Sequence, residues 1–133
     1  MTMVLPLQEV SQKDKARIGG KDFALAVLRG AGLKVPEALC VSTEVYQQYV
    51  SLTGLRDQMQ MELYRKSFEE MRWEEIWDTA LRVRNMFIRT PLSTLLQKEL
   101  IDPLSLHFSD RAVSVRSSAP DEDSSKTSFA GLH

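Results

Sequence analysis

The sequence predicts an α+β protein, a small β-sheet packed with several helices. Three observations predict it. Apolar residues recur at helical spacing through much of the chain from Ala24 onward. Two short apolar runs, Ala38–Val41 and Ala112–Arg116, have strand character. Glycine and proline punctuate the joins, at Gly30, Gly32, Pro36, Gly54, Pro91 and Pro103. With 133 residues the chain has the size of one domain, able to bury roughly two-thirds of its unfolded surface. Its 43% apolar and 26% charged residues belong to a globular chain, not a disordered or fibrous one.

Residues 1–15 begin apolar and turn polar, which predicts a short strand or coil and then a loop. A helix follows, opened by Gly19-Gly20 with Lys21 in its first turn. Ala24, Val27, Leu28 and Ala31 share its face, and Gly30, Gly32 and then Pro36 end it. Ala38–Val41 reads as a buried strand. Ser42-Thr43 offers a cap for a helix through Val45, Tyr46, Tyr49 and Val50, which Gly54 breaks. From Leu55 to Thr90 the pattern is helical and charged. Its second half carries Trp73, Ile76, Trp77, Ala80, Val83, Met86 and Phe87, read as one core-facing stripe. Thr90-Pro91 reads as the next helix start, with Thr as cap and Pro at the first helical position. Asp102-Pro103 ends or kinks that helix, with room for one more turn over Leu104 to Phe108, and Ala112–Arg116 is a third strand.

Charge and composition narrow the function. The 17 basic and 18 acidic residues leave a net charge of −1, which favours neither nucleic acid nor an anionic membrane as partner. The start lacks a signal-peptide pattern, and no apolar run is long enough to span a bilayer. The lone Cys40 excludes an internal disulfide and reads as a buried small hydrophobe. A cytoplasmic location is therefore expected. His107 and His133 are the only histidines, so zinc is not expected.

Two segments could carry chemistry. Gly19-Gly20-Lys21 opens a helix, where first-turn amides attract anions. A lysine there faces the positive end of the helix dipole, which an anion nearby would offset. The spacing is not that of a Walker A loop, and a glycine turn with a solvated lysine fits the same residues. The second segment is Val113-Ser114-Val115-Arg116-Ser117-Ser118-Ala119. If Val113 and Val115 face the core, Arg116 points the other way and offers a planar fork for phosphate oxygens. A surface arginine paired with Asp121, Glu122 or Asp123 is the other reading. Those three acids could also meet a divalent metal, but consecutive carboxylates in a Ser-rich loop are more commonly solvated. The chain ends at His133, two residues after Gly131 and inside this loaded stretch, so the domain is expected to be incomplete.

Together the segments resemble the phosphoenolpyruvate synthase and pyruvate phosphate dikinase family. Gly19-Gly20-Lys21 is similar to that family's G-G-K-G-A-N-L opening. Gly32-Leu33-Lys34-Val35-Pro36, Val41-Ser42-Thr43 and Tyr46 resemble its G-[LI]-x-V-P-x-G-F-x-[VI]-[ST]-T block and following aromatic. Val113–Ala119 with Glu122-Asp123, and Ser128-Phe129-Ala130-Gly131, resemble V-A-V-R-S-S-A-x-x-E-D and S-F-A-G. The helical middle, Leu55 to Phe108, contributes no motif.

The resemblance implies that residues 1–133 are the incomplete N-terminal lobe of an ATP-grasp nucleotide-binding domain. It implies ATP and Mg2+ as cofactors, with Lys21 and Arg116 on the ATP phosphates and Gly19, Gly20, Ser117 and Ser118 beside them. It implies as partners the remaining ATP-grasp lobe and a domain whose histidine accepts the phosphoryl group. The chain departs from the pattern where Asp22-Phe23-Ala24 replaces Gly-Ala-Asn and where Ala38-Leu39 replaces Gly-Phe. Asp22 sets a carboxylate beside the lysine, and Phe23 is bulky. Alone, the chain is expected to bind ATP weakly or not at all and to turn none over. The alternatives are a non-catalytic interaction module, expected to pair as a homodimer through exposed apolar surface, and the ATP-grasp part of a sister dikinase that phosphorylates an antibiotic or a glucan.

Overall fold

The computed structural model describes residues 3–120. The α+β prediction holds: six helices accompany a two-stranded antiparallel sheet among the described residues. Strand β1 is Val4–Pro6 and β2 is Leu39–Val41, in the register Val4 to Val41, Leu5 to Cys40 and Pro6 to Leu39. Backbone bonds beyond the strand ends lengthen the pairing. The Leu7 amide donates to the Ala38 carbonyl at 3.0 Å, and Ser42 donates to Met3 at 2.8 Å. Between the strands lie two single 3-10 turns, Leu7–Glu9 and Gln12–Asp14, then α1 (Lys15–Ile18) and α2 (Gly20–Gly30). Helices α3 (Thr43–Leu52), α4 (Leu55–Leu63), α5 (Trp73–Arg89) and α6 (Thr94–Phe108) follow. Two compact units result, one from residues up to 45 with those from 97 onward, the other from 46–96.

In the first unit Leu5, Leu7, Ile18 and Cys40 form a buried cluster, and Val10, Phe23, Leu25, Ala26, Val35 and Ala38 pack against it. The short helix α1 is held by charge. Arg17 donates through Nε to Glu44 at 2.6 Å and through Nη1 to Asp14 at 2.8 Å. Asp14 in turn accepts from the Ser11 amide at 2.9 Å and the Ser11 hydroxyl at 3.0 Å, a capping box around the second turn. Those bonds hold the Asp14 carboxyl below the usual carboxylate range, the Ser11 amide contributing most. Helix α2 ends in a Schellman motif. Gly32 takes φ +87°, its amide donates to Arg29 at 3.0 Å, and that of Leu33 donates to Leu28 at 3.1 Å.

In the second unit α4 packs on α5. Phe87 of α5 stacks on Tyr46 of α3 with ring centroids 6.1 Å apart, and lies 6.0 Å from Tyr49. The Tyr49 hydroxyl donates to the Thr90 carbonyl. Ion pairs, both 2.9 Å, join Arg82 of α5 to Glu62 of α4, and Lys66 of the segment after α4 to Glu75 of α5. Partly exposed pairs of this kind add little stability each.

Three expectations are corrected. Ala112–Arg116 is not a strand: Val113 is 52% exposed and Val115 93%, and no neighbouring strand pairs with it among the described residues. Strand propensity describes how well a side chain fits a pleated, half-buried surface, and this segment has none beneath it. The last helix starts at Thr94, not at Thr90-Pro91. The Ser93 hydroxyl caps it by accepting from the Leu96 amide at 3.2 Å, while the Thr90 hydroxyl donates back to Met86 at 2.7 Å and closes α5. Pro103 lies inside α6, which runs on to Phe108. The α5 stripe also splits. Ile76, Val83, Met86 and Phe87 are half-buried, whereas Trp73 and Trp77 are 71% and 69% exposed. With Leu81 and Ile88 they form a second, outward apolar face, because the apolar residues span more of the helix circumference than one packing partner covers.

Candidate functional site

The predicted site residues all lie in the first unit. Gly19 stands between α1 and α2 with φ +82° and ψ 170°, a conformation that L side chains rarely adopt. Its carbonyl accepts the first bond of α2, from the Phe23 amide at 3.2 Å. Gly20, Lys21 and Asp22 thus form the first turn of α2, where the amides lack carbonyl partners within the helix. Lys21 is half-buried there.

The second segment comes directly against this turn. The Ser118 hydroxyl donates to the Ile18 carbonyl at 2.7 Å, across 100 residues of sequence. A β-carbon at Gly19 would lie 2.6 Å from Ser118 Oγ and 2.9 Å from the Ala119 carbonyl carbon and oxygen. Glycine is therefore required at 19 twice, for its dihedral and for the approach of Ala119. The structure brings Gly19, Gly20 and Ser118 together, with Arg116 two residues before Ser118. Arg116 and Ser117 are exposed.

Asp22 is the residue whose partners could not be read in advance. Its carboxyl is pushed above the ordinary range, chiefly by burial, although a hydrogen bond with Cys40 and the positive charge of Arg116 pull the other way. The Cys40 thiol is pushed up to about 12, first by burial and then by the Asp22 charge. Cys40 is therefore a protonated, buried thiol, as the sequence suggested, and not a nucleophile at neutral pH. The signal for Asp22 was its departure from the motif; its partner on β2 left no trace in sequence. Phe23, the other departure, packs against the core cluster, with Lys15 Nζ 5.5 Å from its ring centroid.

Arg111, at the foot of the second segment, donates to Glu37 and to the His107 carbonyl, both at 2.7 Å, and anchors the exit from α6. Asp121-Glu122-Asp123, Phe129, the Ala130-Gly131 pair and His133 lie outside the described residues. Among the described residues no three His, Cys, Asp or Glu side chains group as metal ligands would, and no helix is long and apolar enough to cross a membrane.

Comparison with known proteins gives concordant results. Residues 15–133 match the family described as pyruvate phosphate dikinase, AMP/ATP-binding domain. The chain is 30% identical over 134 residues to the phosphoenolpyruvate synthase of Aeropyrum pernix, covering 97% of this chain and 16% of that protein. It is 33% identical over 129 residues to the rifampicin phosphotransferase of Streptomyces sviceus, covering 96% of this chain and 15% of that protein. The phosphoenolpyruvate synthase of Escherichia coli is 26% identical over 136 residues, covering 97% and 17%. The chain thus spans less than a fifth of the length of these curated relatives.

Proposed function

We propose, from the premise that this chain belongs to the pyruvate phosphate dikinase, AMP/ATP-binding domain family, that Lys21 and Arg116 contact the phosphates of ATP. The observation that carries the reading is the meeting of two motifs across 100 residues, where Ser118 bonds Ile18 beside Gly19. That meeting puts a helix N-terminus, the backbone opening at Gly19-Gly20, and the Arg116-Ser117-Ser118 segment in one place. Phosphate oxygens carry negative charge and only accept hydrogen bonds, so amides, an ammonium, a guanidinium and hydroxyls suit them. In phosphoryl transfer such cations do no covalent chemistry; they hold the phosphates and offset charge that develops on the transferring group.

On this reading the chain is the N-terminal lobe of an ATP-grasp domain. Mg2+ would arrive with the nucleotide and offset charge on its phosphate oxygens. The rest of the ATP-binding domain and a histidine-bearing domain would complete a phosphotransferase, with the final acceptor set by other parts of the protein. A cytoplasmic location accords with an ATP-using activity. A second reading, an interaction module that self-associates, is favoured by one observation, the outward Trp73 and Trp77.

Calorimetry with MgATP on the 133-residue chain tests the first reading. Charge-assisted hydrogen bonds contribute about 1.5–3 kcal/mol, so Lys21→Ala and Arg116→Ala should each weaken binding about tenfold or more. At nucleotide concentrations high enough for wild type to give a measurable heat, heats equal to wild type for both variants would remove the phosphate assignment.

A further inference from the structure

We propose that Ser118 is a positioning residue, a latch that seats the Arg116 segment on the Ile18–Gly19 turn so that the guanidinium is held at the start of α2. This rests on the phosphate-contact reading above. A serine hydroxyl has one proton to donate, and that of Ser118 goes to the Ile18 carbonyl at 2.7 Å. A phosphate oxygen can only accept, so Ser118 in this geometry has nothing to offer it. Ser117, exposed beside it, keeps that capacity.

The seat is built for this contact. Ile18 is 1% exposed and belongs to the buried cluster of the first unit, so the carbonyl that receives Ser118 is carried on a fixed residue. The carbonyl lies at the end of α1, where helical carbonyls lack partners within the helix. Gly19 removes the one β-carbon that would block Ala119. The segment leading into the latch has no strand partner among the described residues, and Val115 is 93% exposed. Among the described residues, the contacts that fix the segment around Arg116, apart from the attraction of Asp22, are the anchors at either end, Arg111 on Glu37 and His107, and Ser118 on Ile18.

A double-mutant cycle with tripolyphosphate as probe, together with amide hydrogen exchange on the free protein, tests the latch. Ser118→Ala should weaken tripolyphosphate binding about two- to tenfold, the range of one net hydrogen bond. The same change made in an Arg116→Ala background should have no further effect, because the latch acts only through Arg116. Exchange across residues 112–119 should quicken in Ser118→Ala and stay at the wild-type rate in Arg116→Ala. Equal weakening by Ser118→Ala in both backgrounds would overturn the proposal, since the hydroxyl would then act on the phosphate itself or on the fold. Unchanged exchange in Ser118→Ala would overturn it too. Should Arg116→Ala alone bind tripolyphosphate like wild type, the phosphate reading and the latch's purpose fall together. That outcome is separable because Ser118 is intact in that variant.

Discussion

Asp22 shows how much one side chain can alter a site whose outline is already drawn. It occupies the first turn of α2 beside Lys21, yet its hydrogen-bond partner is Cys40, on a strand beyond the helix. Burial outweighs the Cys40 hydrogen bond and the attraction of Arg116, so the carboxyl keeps its proton to higher pH in the folded protein than in the unfolded chain. The sign follows from proton linkage. Because the folded state holds the proton more tightly, stability falls as pH rises through the ordinary value of 3.8 toward the raised folded value, and then levels off. Asp22→Asn removes the charge and keeps an acceptor for the thiol. It should unfold at higher temperature than wild type at neutral pH, and the advantage should vanish well below the ordinary carboxylate range. Thermal melts of both proteins across that range check this; an advantage that persists in acid would mean that burial of charge is not the cause. From sequence, Gly19, Lys21 and Arg116 could be named as candidates because each belongs to a local pattern. The Asp22–Cys40 contact was not, because nothing in either neighbourhood names the other.

At the scale of elements, punctuation was the most dependable signal. Gly30, Gly32 and Pro36 place the end of α2 correctly, and the two glycines act differently. Gly32 sits at φ +87° in the Schellman motif, where an alanine should cost about 1–2 kcal/mol. Gly30 is the last helical residue and a β-carbon there would meet open space, so Gly30→Ala should be neutral or stabilise by up to about 1 kcal/mol. Denaturant titrations of the two variants should therefore move in opposite directions; shifts of the same sign would contradict the assigned cap. Elements that depend on a distant partner were less legible. Ala38–Val41 became a strand because Val4–Pro6 lies against it, whereas Ala112–Arg116, equally strand-like in composition, has no ladder among the described residues. Ser93 displaced Thr90 as the start of α6 because the Thr90 hydroxyl is committed to Met86.

For the whole molecule, the distribution of apolar surface is the main departure from expectation. Trp73 and Trp77 present most of their surface to solvent, although their spacing suits a core stripe. The emission of dilute protein should accordingly be that of water-exposed indoles, readily quenched by acrylamide. Blue-shifted, protected emission in dilute solution would place the tryptophans under cover and contradict the outward face. The amino-acid sequence by itself determined the α+β class, the bounds of α2, the family and the two motifs of the candidate site, because propensity and capping act over a few neighbouring residues and motif order is read directly along the chain. Only the tertiary structure decided that Ser118 meets Ile18, that Asp22 answers Cys40 and Arg116, and which apolar residues are covered. Those outcomes depend on partners up to 100 residues away, and burial or pairing has no value until the partner arrives.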